Sequence, residues 1–278
     1  MPEPDLPDLD DDLALMRNCA RDAGALALRY LKDVHNGDKV WEKDDATPVT
    51  VADLAVNTLL QDLLSKARPD YGWLSEETAD DLSARKRRRV WVVDPIDGTR
   101  AYARKNDPFW CIAIAIVEDG RAVAGVLFAP ELDELFEAQL GGGAFLNGER
   151  LRVSAASSEH GARLITNPAL TKHSAAPEPW PEVEICTPKP NATLYRMALV
   201  AAGKWDAAIA LARKSDWDLA AGALLVTEAG GRATTHLGED FHFNGDVPAQ
   251  RSLLAAAPNL HPLLVERLRY VDLAEPNA

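Results

Sequence analysis

The stretch VWVVDPIDGTRAY (Val90–Tyr102) runs from four apolar residues into two aspartates, Asp94 and Asp97, followed by Gly98 and Thr99. So short an apolar run reads as a buried strand, which leaves the carboxylates at a strand end. Pro95 fixes the backbone direction between them, and Gly98 can take a positive φ that turns successive N–H groups toward an anion. One reading is a tight Asx turn leading into a helix. The other is a pocket for a hard divalent cation, which prefers carboxylate, carbonyl and water oxygens, and for the phosphate it carries. The stretch alone leaves both open.

Around it the chain reads as mixed α and β. Leu13, Met16, Ala20, Ala23, Ala27 and Tyr30 recur at helical spacing and predict a first amphipathic helix from about Asp11 to Tyr30. WEKDDATPVT reads as irregular or extended, because Pro48 restrains Thr47. VADLAVNTLLQDLLSKA predicts a second helix ended before Pro69, and DYGWLSEETADD a short strand running into an acidic loop. Downstream, WCIAIAIV, RAVAGVLFA and ELFEAQ read as an antiparallel meander with a hairpin signal at EDG. GGGAFLNG reads as a glycine-rich turn ahead of a short strand in ERLRVS. It opens no helix and lacks a GKS or GKT ending, so a flexible hairpin is preferred to a phosphate loop.

Beyond about Ser154 the character changes. ARLITNP and VEIC are strand candidates separated by the proline-rich AAPEPWPE, and TLYRMALVAAG predicts a helix ended by Gly203. WDAAIALA reads as a strand or short helix. SDWDLAAGALLVTEAGG predicts a helix closed by Gly230 and Gly231, and HPLLVERLRYVDL a terminal helix. Two packed halves are expected, residues 1–153 and 154–278, with the functional cleft between them.

A chain of 278 residues that is 47% hydrophobic can bury a sizeable core. Its net charge of −13 argues against a nucleic-acid polymer or an anionic membrane as the main partner, although a metal or a local basic patch can still bring in an anionic substrate. Cys19, Cys111 and Cys186 are widely separated and form no CxxC pair, which fits a reducing cytoplasm. The acidic start MPEPDLPDLDDD is unlike a secretory or mitochondrial leader, and no apolar run reaches bilayer-spanning length. A soluble cytoplasmic protein is expected. The six histidines show no HExxH and the chain no DxDxDG loop, which excludes a zinc-hydrolase or calcium-loop reading.

Other acids decide the opening ambiguity. In isolation Glu76 and Glu77 read as solvated loop acids, and Thr50-x-x-Asp53 and Ser215-x-x-Asp218 as capping boxes. Together, the acids at 53, 76, 94, 97 and 218 all lie at element boundaries, from which side chains can converge on one cleft. Such a cluster repels itself unless cations neutralise it. Two metal positions could then sharpen a water nucleophile and steady a leaving oxygen.

LSEET, WVVDPIDGTRAY and SDWDLAAGALLVTEAGG, in that order, resemble the inositol monophosphatase superfamily of Mg²⁺-dependent, lithium-sensitive phosphomonoesterases, and EKDDATPVTVAD fits its upstream segment. The resemblance implies an α+β fold, a layered αβαβα sandwich, binding two or three Mg²⁺. It implies that Glu76, Asp94 and the Ile96 carbonyl hold one metal, and Asp94, Asp97 and Asp218 a second. Asp53 and Thr99 would orient or activate the attacking water, with Glu76 counted among the catalytic residues. The Gly98 and Thr99 amides would cradle the phosphate, and Lys43 matches a lysine near the metal site. Members are commonly homodimers.

Departures from the pattern bear on the substrate. Members acting on inositol phosphates usually carry an acid where this chain has Leu211, and a Thr-Asn pair where it has Arg100 and Ala101. A Gly-Thr/Ser element appears here as Asn191–Ala192–Thr193. Arg100, Arg213 and Lys214 instead bring positive charge toward the cleft rim, which suits a second phosphate. PVTVAD and DYGWLSEET look most like the 3′(2′),5′-bisphosphate nucleotidase branch, which acts on adenosine 3′,5′-bisphosphate. The alternatives are hydrolysis of inositol 1-phosphate or histidinol phosphate, and a non-catalytic cation-binding regulator of the same fold.

Overall fold

The structure is a computed structural model that describes residues 8–35, 40–42, 48–172 and 177–273. Helix α1 (Leu9–His35) extends past the predicted span at both ends. Asp10, Asp11 and Asp12 lie in its first turn, where carboxylates meet the positive end of the helix dipole. A two-stranded ribbon, β1 (Val40–Glu42) with β2 (Pro48–Thr50), leads into α2 (Val51–Ala67), which covers the predicted stretch.

The first large sheet has seven strands in chain order: β3 (Gly72–Ser75), β4 (Arg89–Asp97), β5 (Cys111–Glu118), β6 (Arg121–Ala129), β7 (Glu134–Gln139), β8 (Gly143–Leu146) and β9 (Glu149–Arg150). The four-residue helix α3 (Thr99–Tyr102) follows β4. β3 is parallel to β4, and the rest form the expected antiparallel meander. Asp119 and Gly120 both take positive φ at the β5–β6 hairpin, as a primed turn requires. The glycine-rich segment is less of a turn than its composition suggests. From Gly143 it pairs with β7 as β8, and only Glu149 and Arg150 of ERLRVS are in a strand.

β4 and β5 are apolar on both faces because both faces are covered. Trp91 and Val93, with Ile112, Ile114 and Ile116, pack on the α1/α2 side. Val90 and Val92, with Cys111, Ala113 and Ala115, pack on the other. Small residues dominate the second face because helices approach closely there: a Cβ on Gly125 would lie 3.1 Å from Ala221 Cα.

Those helices are α5 (Thr193–Ala201) and α6 (Ala220–Glu228). Behind them lies a five-stranded sheet of β10 (Arg163–Ile165), β11 (Glu184–Ile185), β12 (Ala207–Ala210), β14 (Arg232–Thr234) and β16 (Leu253–Ala256), in the order β11-β10-β12-β16-β14. A short helix α4 (Ala169–Lys172) lies between β10 and β11, and β13 (Lys214–Ser215) pairs with β15 (Ala249–Gln250) in a ribbon. α7 (His261–Leu268) covers the outer face through Leu264 and Leu268. The layers are therefore helices, sheet, helices, sheet, helix: the expected αβαβα sandwich.

WDAAIALA is a strand, fixed by its pairing with β16. SDWDLAAGALLVTEAGG is not one helix. Leu219 leaves helical geometry at φ −130°, which separates a 3₁₀ turn at Asp216–Asp218 from α6. Gly230 closes α6 at φ +90°, and Gly231 N–H returns to the Val226 carbonyl at 2.8 Å. No described helix is long and apolar enough to cross a membrane.

Candidate active site

The site forms where β4 stops. Two residues three apart on a regular strand point to opposite faces. Between Asp94 and Asp97 the β4–β5 register shifts, and this irregularity changes the parity, so that both carboxylates line one cavity. Gly98 then turns the chain at φ 91°, ψ 37°, and a Cβ there would lie 2.9 Å from the Ala192 Cβ. Only glycine satisfies both the left-handed angle and the close approach.

The other acids arrive from separate elements. Asp53 completes the predicted capping box: its Oδ2 accepts from Thr50 N–H at 2.8 Å and Thr50 Oγ1 at 2.6 Å. Its Oδ1 accepts from Thr99 Oγ1 at 3.0 Å. One carboxylate thus caps α2 with one oxygen and meets the corner after β4 with the other. Asp218 caps its 3₁₀ turn through Ser215 N–H at 3.0 Å. The Asp97 carboxylate accepts the backbone N–H groups of Thr193 and Leu194 at the start of α5.

The cavity has a volume of about 340 Å³. Of the predicted residues, Glu76, Asp94, Ile96, Asp97 and Asp218 line it, as do Gly98, Thr99, Arg100 and Lys214. Asp53 stands behind Thr99. Arg213 is exposed and does not line this cavity, and Lys43 lies outside the described residues.

Carboxylate oxygens of Asp94, Asp97 and Asp218 lie within 4.8 Å of one another. Asp94 Oδ1 is buried without a hydrogen-bond partner among the described residues. Burial first, then the charges of Glu76, Asp97 and Asp218, holds the Asp94 carboxyl well above the usual carboxylate range. Asp97 is pushed up to about 6 by burial and then by Asp218, against the opposing α5 amides and Lys214. Asp53 is likewise raised to about 6, chiefly by burial. Cys111 Sγ lies 3.9 Å from Asp97 Oδ2, and burial with the neighbouring aspartates keeps the thiol protonated. The donor set is therefore oxygen only. An orphaned oxygen, three converging carboxylates and their mutual repulsion fit a hard divalent cation.

Lys189 and Arg196 also line the cavity and were not picked out from the sequence. A signal for Arg196 was present: it is the one charge in the otherwise apolar or neutral TLYRMALVA of α5.

The inositol monophosphatase family model matches residues 8–272. The chain is 36% identical over 239 residues to an inositol-1-monophosphatase of Caulobacter vibrioides, covering 83% of this chain and 91% of that one. It is 33% identical over 257 residues to a histidinol-phosphatase of Chlorobaculum parvum, covering 89% and 97%. Among solved structures, the extragenic suppressor protein SuhB of Bartonella henselae superposes with a TM-score of 0.78 at 30% identity, over 93% of this chain and 98% of that one.

Proposed function

The chain belongs to the inositol monophosphatase family and is a phosphoric monoester hydrolase, and we propose that it cleaves a small phosphorylated metabolite using Mg²⁺ held by Glu76, Asp94, the Ile96 carbonyl, Asp97 and Asp218. The observation that carries this reading is the buried, unpartnered Asp94 oxygen inside a cluster of mutually repelling carboxylates. Bound there, the metal supplies neutralising charge and Lewis acidity to the phosphate and the attacking water.

The chain's own groups do the orienting. The Thr99 hydroxyl donates to Asp53 Oδ1 at 3.0 Å, which leaves its oxygen lone pairs available to a water in the cavity. Asp53, raised to about 6, is suited to take a proton relayed through that hydroxyl near neutral pH. The amides of Gly98 and Thr99 serve the transferred phosphate at the corner after β4.

Within this activity we favour a nucleoside 3′,5′-bisphosphate. Leu211 supplies no carboxylate to grip a polyol, and Lys189, Arg196 and Lys214 favour extra negative charge. The names of the relatives favour a second reading, inositol 1-phosphate or histidinol phosphate. A phosphate-release panel with Mg²⁺ should compare adenosine 3′,5′-bisphosphate, inositol 1-phosphate and histidinol phosphate. The highest kcat/KM is expected for the bisphosphate; release from none of them refutes the metal-dependent reading.

A further inference from the structure

Asn57 sits in the second turn of α2, 7% exposed, among the apolar residues that this helix buries. Asparagine is a poor choice there, since its side chain competes for backbone hydrogen bonds and favours caps over helix middles. Its own bonds go to a different element. Oδ1 accepts from Ser75 Oγ at 2.7 Å, and Nδ2 donates to Thr78 Oγ1 at 3.0 Å and, at 3.5 Å, to the Glu77 carbonyl. Trp73 Nε1 donates to the same Thr78 Oγ1 at 3.1 Å.

Those partners flank Glu76 on both sides. Ser75 ends β3, Glu76 opens the turn that follows, and Glu77 and Thr78 continue it. The Glu76 N–H reaches the Val93 carbonyl at 3.3 Å, one residue before Asp94. Glu76 is also the first of the charges that disfavour ionisation of Asp94. The two carboxylates, when both ionised, therefore push the turn away from β4. Asn57 opposes that push, because its amide grips the residue before Glu76 and the two after it. One turn earlier on the same face of α2, Asp53 holds the Thr99 hydroxyl at 3.0 Å. Successive turns of one helix thus hold the hydroxyl that faces the cavity and the turn that carries Glu76.

Resting on the metal-ligand reading above, we propose that Asn57 is a positioning residue for magnesium: it fixes the turn after β3 so that Glu76 already faces Asp94 before the ion arrives. Asn57 itself touches neither metal nor substrate. A hydrogen-bond partner behind a ligand typically sets metal affinity by about 10- to 100-fold through orientation alone. The position formed by Asp94, Asp97 and Asp218 has separate supports, in Ser215 and the α5 amides. Asn57 therefore acts on the position that includes Glu76.

Calorimetric titration of Mg²⁺ into the metal-free protein tests this, with Asn57→Ala, Glu76→Gln and the double variant. Asn57→Ala is expected to weaken Mg²⁺ binding about tenfold. Thr78→Val removes the tie from the turn side and should give a shift in the same direction, even if Asn57→Ala folds poorly. In the Glu76→Gln background, Asn57→Ala should change Mg²⁺ binding by less than about twofold, because no ligand is left to position. Leu64→Ala, two turns further along the buried face of α2, controls for general destabilisation: it should lower Tm and leave Mg²⁺ binding unchanged. Unchanged Mg²⁺ affinity in Asn57→Ala or Thr78→Val overturns the inference. So do additive losses in the double variant, or an equal loss in Leu64→Ala. Wild-type Mg²⁺ binding by Glu76→Gln refutes the ligand reading itself, and the inference falls with it.

Discussion

Asp97 Oδ2 accepts the backbone N–H of Leu194 at 2.6 Å, across 97 positions of chain. This bond ties the last residue of β4 to the first turn of α5, the helix that also carries Arg196. The helix's unpaired N–H groups steady a buried carboxylate that also feels the charge of Asp218. The carboxylate side of the cleft and the cationic side are thereby held in one fixed relation.

Asp94→Asn removes the charge at the centre of the cluster while keeping its size. kcat/KM should fall by about 10³-fold or more, since the metal's stabilisation of the transition state is lost with the ligand. In EDTA the same variant should melt about 3 °C or more above wild type, because the amide escapes the desolvation and repulsion that raise the Asp94 carboxyl. Phosphate release and thermal melts read the two effects, and an active variant would refute the ligand assignment.

Magnesium stabilisation should grow with pH. Asp53 and Asp97 titrate near 6 in the folded protein, against 3.8 as the ordinary value. The folded state therefore holds more protons between those values, and the metal-free protein loses stability as pH rises from about 4 to about 6. A cation reverses that penalty. The Mg²⁺-induced rise in Tm is expected to be larger at pH 7 than at pH 5. Melts with EDTA and with Mg²⁺ at each pH cancel the contributions of distant groups, and an equal rise at both contradicts the assignment.

Thr99→Val deletes the hydroxyl between Asp53 and the cavity. kcat should drop about 10²-fold, the usual scale for loss of proton transfer, with KM near the wild-type value. Thr99→Ser should restore most of the rate. Steady-state kinetics on one monoester decide it.

Gly98→Ala forces an L-residue to φ +91° and sets its Cβ 2.9 Å from Ala192. The backbone strain alone costs about 1–2 kcal/mol. Relief requires the corner to shift against the start of α5, so both Tm and kcat/KM should fall. A variant that melts and turns over like wild type would show that the corner is not so constrained.

The chain alone specified the helix Val51–Ala67, the meander from Cys111 to Gln139, the glycine stop after α6 and the acids of the site. The elements rest on local rules of apolar period and turn chemistry, whereas the candidate acids are picked out only by their joint place at element boundaries and by the family resemblance. Short apolar segments such as LLAA at 253–256 were unreadable, because four residues are too few to show a period and β16 exists through its pairing with β12 and β14. Likewise no local rule could say whether Asp53 caps a helix or serves the cleft. It does both, and the second oxygen finds Thr99 only after folding. The register shift that points Asp94 and Asp97 into one cavity, and the meeting of Lys189, Arg196 and Lys214, are likewise tertiary. Local sequence sets backbone preference over a few residues, whereas a binding site depends on distances between segments that only packing of the layers fixes.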